Sequence, residues 1–305
     1  MKLIIQIPCY NEEKFLGKTL STLPQSIAGV DFIEVLVIDD GSTDQTERVA
    51  RENGATHVLK LLKHQGLARA FGSGIRKSLE LGADVIVNLD ADNQYPAHHI
   101  TALIAPILEG RADVVVGTRN YWKNPEFSLV KKFLQWLGSV IVSIICGITI
   151  PDAASGFRAF TKRATQTIHI MTEFTYTLET LIQLSDRGFR IHCLPITVNS
   201  AVRPSRLMTG PIQYVVRSIS TLLRLICIYK PIQTFGVASL LLLVSGLSMI
   251  ACSADHRRLY FSGFAILILS AMAYGMGLLC YLFSVNRRLL ETMREETNRN
   301  RQNLC

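Results

Sequence analysis

Two carboxylates one residue apart, Asp90 and Asp92, end the apolar run Val85-Ile86-Val87-Asn88-Leu89. A β-branched run of that length reads as a strand buried on both faces. Burying two charges at its end would be costly, so the pair belongs in the crevice at the carboxyl edge of a sheet, where open α/β folds bind ligands. Hard oxygen donors in close succession suit Mg²⁺ or Mn²⁺, which completes its shell with water and substrate phosphates. An ordinary acidic turn is the other reading of Asp-x-Asp. The neighbouring elements have to decide between them.

Those elements alternate. Strand patterns over Leu3–Ile7, Ile33–Ile38, Thr56–Leu59, Val85–Leu89 and Val114–Gly117 are separated by helical patterns over Asn11–Leu23, Gln45–Asn53, Gly66–Leu81 and His98–Glu109. Such alternation with short links predicts a mostly parallel, Rossmann-like sheet covered by helices on both faces, and it stops after about five units. Three polar clusters then fall at strand ends on one edge: Pro8-Cys9-Tyr10-Asn11-Glu12-Glu13, Asp39-Asp40-Gly41-Ser42-Thr43-Asp44 and Asp90–Gln94. One cluster can be a turn; three on one edge make a site. Ser42 or Thr43 also suits an N-cap, which leaves Asp40 to accept hydrogen bonds from a base or ribose. Gly72-Ser73-Gly74 lacks the G-K-[ST] ending of a phosphate loop and follows no strand, so it carries no such role.

The chain has 305 residues, a net charge of +8 and 49% hydrophobic residues. Its apolar excess is concentrated late, in 24 uncharged residues between Lys230 and Asp255 and 28 between Arg258 and Arg287. At ~1.5 Å per residue each exceeds the ~30 Å hydrocarbon core, and the short link predicts a hairpin. Arg217, Arg224 and Lys230 before the pair, and Arg287, Arg288 and Arg294 after it, outnumber Arg257 and Arg258 in the link. That asymmetry places the large N-terminal part and the tail in the cytoplasm, with the protein integral to a plasma or inner membrane. Met1–Pro8 reads as a strand rather than a signal peptide. The basic excess beside the spans suits anionic lipid, and without aromatic interleaving it argues against nucleic acid. Seven scattered cysteines with no C-x-x-C pair exclude a zinc site of that kind. Phe133–Ile150, a further 18 uncharged residues after Lys131 and Lys132, reads as an interfacial helix with Trp136 at head-group level. A single crossing there would separate Asp152–Arg206 from Asp90 and Asp92.

The three clusters, with Asn88-Leu89-Asp90-Ala91-Asp92, Gln94 and Pro96, then Val114–Arg119 and Ser155-Gly156-Phe157-Arg158-Ala159-Phe160, resemble the family 2 glycosyltransferases of GT-A fold. Within them the pattern is similar to the dolichyl- and polyprenyl-phosphate sugar synthases, over roughly residues 3–210. The resemblance implies that Pro8, Tyr10, Glu12, Asp40, Gly66 and Asp90 line the nucleotide, and that Asp90 and Asp92, supported by Gln94, hold Mg²⁺ or Mn²⁺ on the diphosphate. It implies that Arg119 and Arg158 face phosphates and that Arg203, Ser205 and Arg206, with Arg119, take the acceptor phosphate. Ser205-Arg206 stands where the family pattern ends Ser-Lys, and His64 where many members carry Asn or Arg. Asp152 and Glu179 are candidates for a general base, against readings as a turn residue and a helix-surface charge. A lipid monophosphate is largely dianionic near neutral pH and has little need of one.

The function implied is inverting, metal-dependent transfer of a single sugar from a GDP-mannose or UDP-glucose type donor to a polyprenyl phosphate. A cytosolic GT-A domain is expected over 1–228, including the interfacial helix at about 131–150. Transmembrane helices follow at about 232–253 and 261–284 within 229–287, then a cytosolic tail at 288–305. A homo-oligomer sharing its membrane bundle is compatible with so thin an anchor. Two alternatives stand beside this one. A processive polysaccharide synthase would carry Q-x-x-R-W, absent from Arg217–Arg224. A non-catalytic membrane scaffold would have lost Asp90, Asp92 or Arg158.

Overall fold

The computed structural model describes residues 1–123, 127–170, 176–199, 211–252 and 257–303. The chain divides into two compact units, Met1–Thr209 and Gly210–Cys305. In the first, β1 (Lys2–Cys9), α1 (Leu16–Ser21), β2 (Phe32–Asp39), α2 (Thr46–Glu52), β3 (His57–Lys60), α3 (Leu67–Glu80), β4 (Val85–Asn88), α4 (His99–Leu108) and β5 (Val114–Arg119) follow the alternation legible in the sequence. Beyond them come α5 (Leu129–Cys146), β6 (Arg158–Thr161), α6 (Lys162–Thr165), α7 (Thr177–Asp186) and β7 (Ile191–Ile196).

The seven strands form one sheet in the order β3-β2-β1-β4-β6-β5-β7. The apolar runs explain the middle of it: Leu3, Ile4, Ile5, Ile7, Leu36, Val37, Ile86, Val87, Val114 and Val115 are all buried, as strands covered on both faces require. β1 runs parallel to β2 and β4, and β5 parallel to β7. The sheet does not end with β5, as the sequence pattern suggests. β6 inserts between β4 and β5, antiparallel to both, with Asn88 opposite Arg158 and Val114 opposite Phe160. Because β6 runs backwards, its first residue lies at the same edge as the ends of β1, β2, β4 and β5. This reversal brings Ser155-Gly156-Phe157 to the Asp90 loop.

The same pairing settles what α5 cannot be. By length and composition α5 could cross a membrane. Yet the strands on either side of it are hydrogen-bonded neighbours, so both lie on one side of any membrane and a lone crossing between them is topologically impossible. One face of α5 buries Leu134, Gln135, Gly138, Ser139 and Val142. Ser139 Oγ accepts from the Ala153 amide at 3.0 Å, Ser143 Oγ from the Ile150 amide at 2.9 Å, and the Cys146 carbonyl from Ser185 Oγ at 3.0 Å. The opposite face exposes Leu129, Val130, Phe133, Trp136 and Ile144.

The second unit is helical: α8 (Pro211–Tyr229), α9 (Pro231–Ala251) and α10 (Arg257–Asn303). Pro231–Ala251 and Arg257–Asn286 are long and apolar enough to cross a membrane. They pack antiparallel. Ser239 Oγ donates to the Ser270 carbonyl at 3.0 Å, and Ser270 Oγ to the Ser239 carbonyl at 2.8 Å. A Cβ at Gly263 would stand 2.9 Å from the Gly246 carbonyl, so paired glycines permit the close approach. Residues 253–256, which join the two helices, lie outside the described residues.

Candidate functional site

The crevice is built from loops that hydrogen-bond to one another. After β1, Asn11 adopts φ +54°; its amide donates to Ser42 Oγ at 3.0 Å and its Oδ1 accepts from the Thr43 amide at 2.8 Å. The Glu12 amide donates to Thr46 Oγ1 at 2.8 Å. After β2, Asp39 Oδ1 accepts from the Ser42 amide at 2.8 Å, forming an Asx turn. The first two sequence clusters are therefore one laced rim.

Asp40, buried, has a different task from the open acceptor expected of it. Its Oδ1 accepts from the Gln65 amide and its Oδ2 from the Gly66 amide, both at 2.8 Å, and His64 Nδ1 lies 2.8 Å from Oδ2. The carboxylate clamps the chain entering α3, where Gly66 takes φ +91°. Tyr10 stacks on the His64 ring, centroids 3.8 Å apart and planes 24° apart. Pro8 lies buried within β1 beside Ile38 and Glu12 is buried in the loop that follows, so of the expected nucleotide residues at this strand end it is Tyr10 that is exposed.

The Asp90–Gln94 loop is held from both sides. Thr19 Oγ1 on α1 donates to the Ala91 carbonyl at 2.7 Å. Asn199, beyond β7, donates from its amide to the Gln94 carbonyl at 2.9 Å and from Nδ2 to the Asn93 carbonyl at 2.8 Å. Asp92 Oδ1 accepts from the Gln94 amide at 3.0 Å, with Asn93 at φ +57°. Burial pushes the Asp90 carboxyl up to about 7; Asp92 and Glu12 add to the shift and Arg119 opposes it. A buried carboxyl whose ionisation a neighbouring carboxylate disfavours is short of positive charge.

Gly156 closes against this pair. A Cβ there would stand 2.9 Å from the Tyr176 hydroxyl and 3.1 Å from Asp90 Oδ1. Beneath it runs a buried amide network: Gln6 Nε2 donates to Asn88 Oδ1 at 2.9 Å, and Asn88 Nδ2 to the Gly156 carbonyl at 2.9 Å and the Tyr176 hydroxyl at 2.8 Å. Tyr176 stacks on Phe71 at 3.9 Å. The sequence signal was present, since Gln6 and Asn88 are polar residues within apolar strands, but their partners come from far along the chain. Replacing Gly156 by alanine is expected to press on the Asp90 carboxylate and the buried Tyr176 hydroxyl, weakening Mn²⁺ affinity about tenfold or more and lowering thermal stability as well. Titration of Mn²⁺ into the two proteins measures it, and equal affinities would contradict the packing.

Arg119 and Asp152 form one bidentate pair: Nε donates to Oδ2 at 2.7 Å and Nη2 to Oδ1 at 3.1 Å, while the Arg119 amide also donates to Oδ2 at 3.1 Å. Burial works against the Arg119 charge, but Tyr95, Asp152 and Asp90 outweigh it and hold its pKa above the ordinary value. Its guanidinium lies over the Tyr95 ring at 5.9 Å, and burial pushes the Tyr95 hydroxyl up to about 12. Asp152 is fully buried and spent on Arg119. It orients that cation and is not poised as a base. Glu179 is neither a surface charge nor open to substrate: it is buried in the first turn of α7 and accepts from Gln183 Nε2 at 3.2 Å.

Arg158 departs most from expectation. It is completely buried, and its donors go to protein: Nε to the Ser155 carbonyl at 2.9 Å, Nη1 to the Thr177 carbonyl at 2.6 Å and Thr180 Oγ1 at 2.8 Å, Nη2 to the Ala153 carbonyl at 2.8 Å. Burial lowers its pKa to about 10. Where the resemblance implies a phosphate, these donors are committed to protein: they tie the loop carrying Asp152 and Gly156 to α7. Arg203, Ser205 and Arg206, expected on the acceptor phosphate, lie outside the described residues.

Among the described residues no cluster of three or more His, Cys, Asp or Glu forms a ready-made metal cage. The donor set nevertheless fits an ion that takes one or two carboxylates and substrate phosphates, the usual habit of Mg²⁺.

Residues 4–168 match the model of glycosyl transferase family 2. The undecaprenyl-phosphate mannosyltransferase of Micrococcus luteus is 29% identical over 72% of this chain and 86% of its own length. The UDP-N-acetylglucosamine–dolichyl-phosphate N-acetylglucosaminyltransferase of Methanococcus voltae is 32% identical over 52% of this chain and 68% of its own. The glucosyl-3-phosphoglycerate synthase of Mycobacterium tuberculosis, in complex with Mn²⁺, uridine diphosphate and glucosyl-3-phosphoglycerate, superposes with a TM-score of 0.55 at 21% identity, over 72% of this chain and 79% of that one. That likeness shows a shared GT-A fold. The site edge, the sheet order and the sequence match agree that the chain is a glycosyltransferase and belongs to glycosyl transferase family 2.

Proposed function

We propose that the protein transfers one sugar from a nucleotide-diphosphate sugar, of GDP-mannose or UDP-glucose type, to a polyprenyl phosphate at a membrane face, with inversion at the anomeric carbon. The observation that carries the reading is the Asp90/Asp92 pair, with the Asp90 pKa raised by burial and by Asp92 despite Arg119, against a glycine that leaves room beside it. The relatives named for undecaprenyl and dolichyl phosphate support the acceptor class. The apolar helices α9 and α10 support a membrane location, and the Lys/Arg asymmetry around them supports a cytoplasmic site. The domain, 1–228, the spans within 229–287 and the tail, 288–305, follow from the same reading, with the exposed face of α5 resting on the lipid surface.

Chemically, a phosphate oxygen of the acceptor bonds to the anomeric carbon as that carbon's bond to the diphosphate breaks, and the electron pair leaves on the nucleoside diphosphate. Asp90 and Asp92, with Gln94 shaping their loop, would hold Mg²⁺ or Mn²⁺, which supplies charge neutralisation at the leaving diphosphate. Tyr10, with the Asp40-clamped loop, would fix the base. Arg119, locked by Asp152, would present a cation whose orientation needs no rearrangement during reaction. Asp152 and Glu179 are already engaged, so the incoming phosphate brings its own negative charge and alignment of the two anions provides most of the rate. The test is transfer itself: protein in detergent, labelled nucleotide sugars, Mn²⁺ and polyprenyl phosphate. Label should enter the organic phase with at least one donor; if no common donor yields a lipid-linked sugar, the reading fails.

The raised Asp90 pKa sets the sign of a pH effect. A carboxyl ordinarily near 3.8 and held at about 7 keeps its proton longer in the fold. The fold therefore loses stability as pH rises from 3.8 towards 7, the reverse of an ion-paired carboxylate. An ion binding there displaces that proton, so Mn²⁺ affinity should rise about tenfold per pH unit up to pH 7 and then level. Calorimetric titrations at pH 5.5, 6.5 and 7.5 measure this; a flat profile would contradict it.

A further inference from the structure

Beside the Asp90–Gln94 loop lies a second concavity, of about 560 Å³. Four segments meet there: Lys18 and Thr22 come from α1 and its end, Asn93 and Pro96 from the loop and its exit, His98 from the start of α4, and Asn199 from beyond β7. Neither Asp90, Asp92 nor Arg119 lines it, so it is separate from the crevice described above. Asn93 is its informative residue. It is 7% exposed, stands at φ +57°, and its carbonyl accepts from Asn199 Nδ2 at 2.8 Å. Its side-chain amide has no hydrogen-bond partner among the described residues. Nor is that amide sealed in: it opens on the cleft that the residue lines. A buried carboxamide is costly to leave unbonded, so in native proteins such a group meets water or a ligand.

The rest of the lining narrows the ligand. Lys18 has no ion pair among the described residues. Of the two adjacent histidines, His99 Nε2 is engaged by Thr197, at 2.8 Å from Oγ1 and 3.2 Å from the amide, which leaves His98 to the cleft. No aspartate or glutamate lines it. An ammonium, an imidazole and two carboxamides with no acid among them suit an anion with several acceptor oxygens. The volume is many times a water's share of ~30 Å³, enough for a phosphate and the organic group it esterifies. We propose that this cleft is a second anion site, which takes the phosphate group of a monoester, with Lys18 and His98 meeting its charge and Asn93 Nδ2 donating to it. Asn199 grips the Asn93 and Gln94 carbonyls, so the ligand rests against the loop that carries Asp92. A metal charge at Asp90 and Asp92 favours the anion, and by reciprocity the anion favours the metal.

Glycerol 3-phosphate is titrated by calorimetry into the full-length protein, free of metal and nucleotide, and into N93D and K18Q. Aspartate tolerates the positive φ and replaces a donor by a negative charge; K18Q changes an exposed side chain and removes the cation. The wild type should bind saturably, N93D about tenfold or more weakly, and K18Q about threefold or more weakly. In the wild type, binding should persist and tighten with Mn²⁺ and UDP present. Displacement by them would put the phosphate in the diphosphate position and overturn the inference. Native mass spectrometry of the wild type and N93D with phosphatidic acid or phosphatidylcholine separates two sources of the same chemistry. Retention of phosphatidic acid alone, lost in N93D, assigns the site to a lipid head group, whereas binding of glycerol 3-phosphate assigns it to a soluble ester. If neither probe binds, or if N93D binds as the wild type does, the cleft holds water only and the inference is overturned. The nucleotide-sugar reading then stands, because no step of it uses this cleft.

Discussion

Replacing Asp92 by asparagine should lower sugar transfer about a thousandfold or more, on the order of 4 kcal/mol of transition-state stabilisation, while leaving the protein at least as stable as before. The two halves of that result come from one cause. Asp92 is among the groups that raise the Asp90 carboxyl to about 7, so the pair is held in the fold against its own repulsion. Asparagine keeps an oxygen to accept from the Gln94 amide, where Asp92 Oδ1 accepts at 3.0 Å, and removes the charge. The loop keeps its shape, Asp90 ionises more easily, and the melting temperature holds or rises. A divalent ion loses half of its protein charge, and the leaving diphosphate loses its neutralisation. Steady-state transfer rates and thermal unfolding, measured on one preparation, check both. A variant that loses stability along with activity would mean that the pair is structural.

The second large effect falls on Arg158, and it runs the other way. Replacing Arg158 by methionine should destabilise the first unit by about 3–5 kcal/mol and remove activity through disorder of the site rather than loss of a ligand contact. The substitution leaves the carbonyls of Ala153, Ser155 and Thr177 buried without the donors they now have. Those carbonyls set the loop from which Asp152 grips Arg119 and Gly156 backs Asp90. Lysine should rescue little, since one ammonium on a flexible stem cannot reach three carbonyls and Thr180 Oγ1 in the geometry of a planar fork. Denaturant unfolding of R158M and R158K measures the loss. Wild-type stability with selective loss of phosphate binding would instead restore the phosphate-facing role that the sequence pattern implied.

Arg158 shows where sequence reading stops. Asp90, Asp92 and Asp40 were legible because each follows an apolar run whose end must lie at a sheet edge, and that depends only on local pattern and parallel topology. The role of Arg158 depends on a four-residue strand running backwards between β4 and β5, and on partners in α7 about twenty residues later. Nothing in Ser155-Gly156-Phe157-Arg158 separates a guanidinium reaching out to phosphate from one reaching in to carbonyls. Asp152 has the same character: after Pro151 it reads as a base or a turn, because its partner Arg119 lies 33 residues away and no local pattern links the two. β7 was within reach, since Ile191–Ile196 follows a glycine turn at Gly188 and has the length of an edge strand. For α5 the pairing of β5 and β6 adds one thing to the sequence reading: the chain on either side of it must share one side, which excludes a lone crossing there.

The most direct measurement follows bound Mn²⁺ by electron paramagnetic resonance as UDP or GDP is added to the wild-type protein and to the Asp90→Asn/Asp92→Asn double variant. In the wild type the free Mn²⁺ signal should fall steeply once nucleotide is present, because two carboxylates and a diphosphate share the ion. The double variant should leave the free signal close to that of nucleotide in buffer alone. Equal Mn²⁺ uptake by both proteins in the presence of nucleotide would contradict the account at its centre, since the ion would then be held somewhere other than at Asp90 and Asp92.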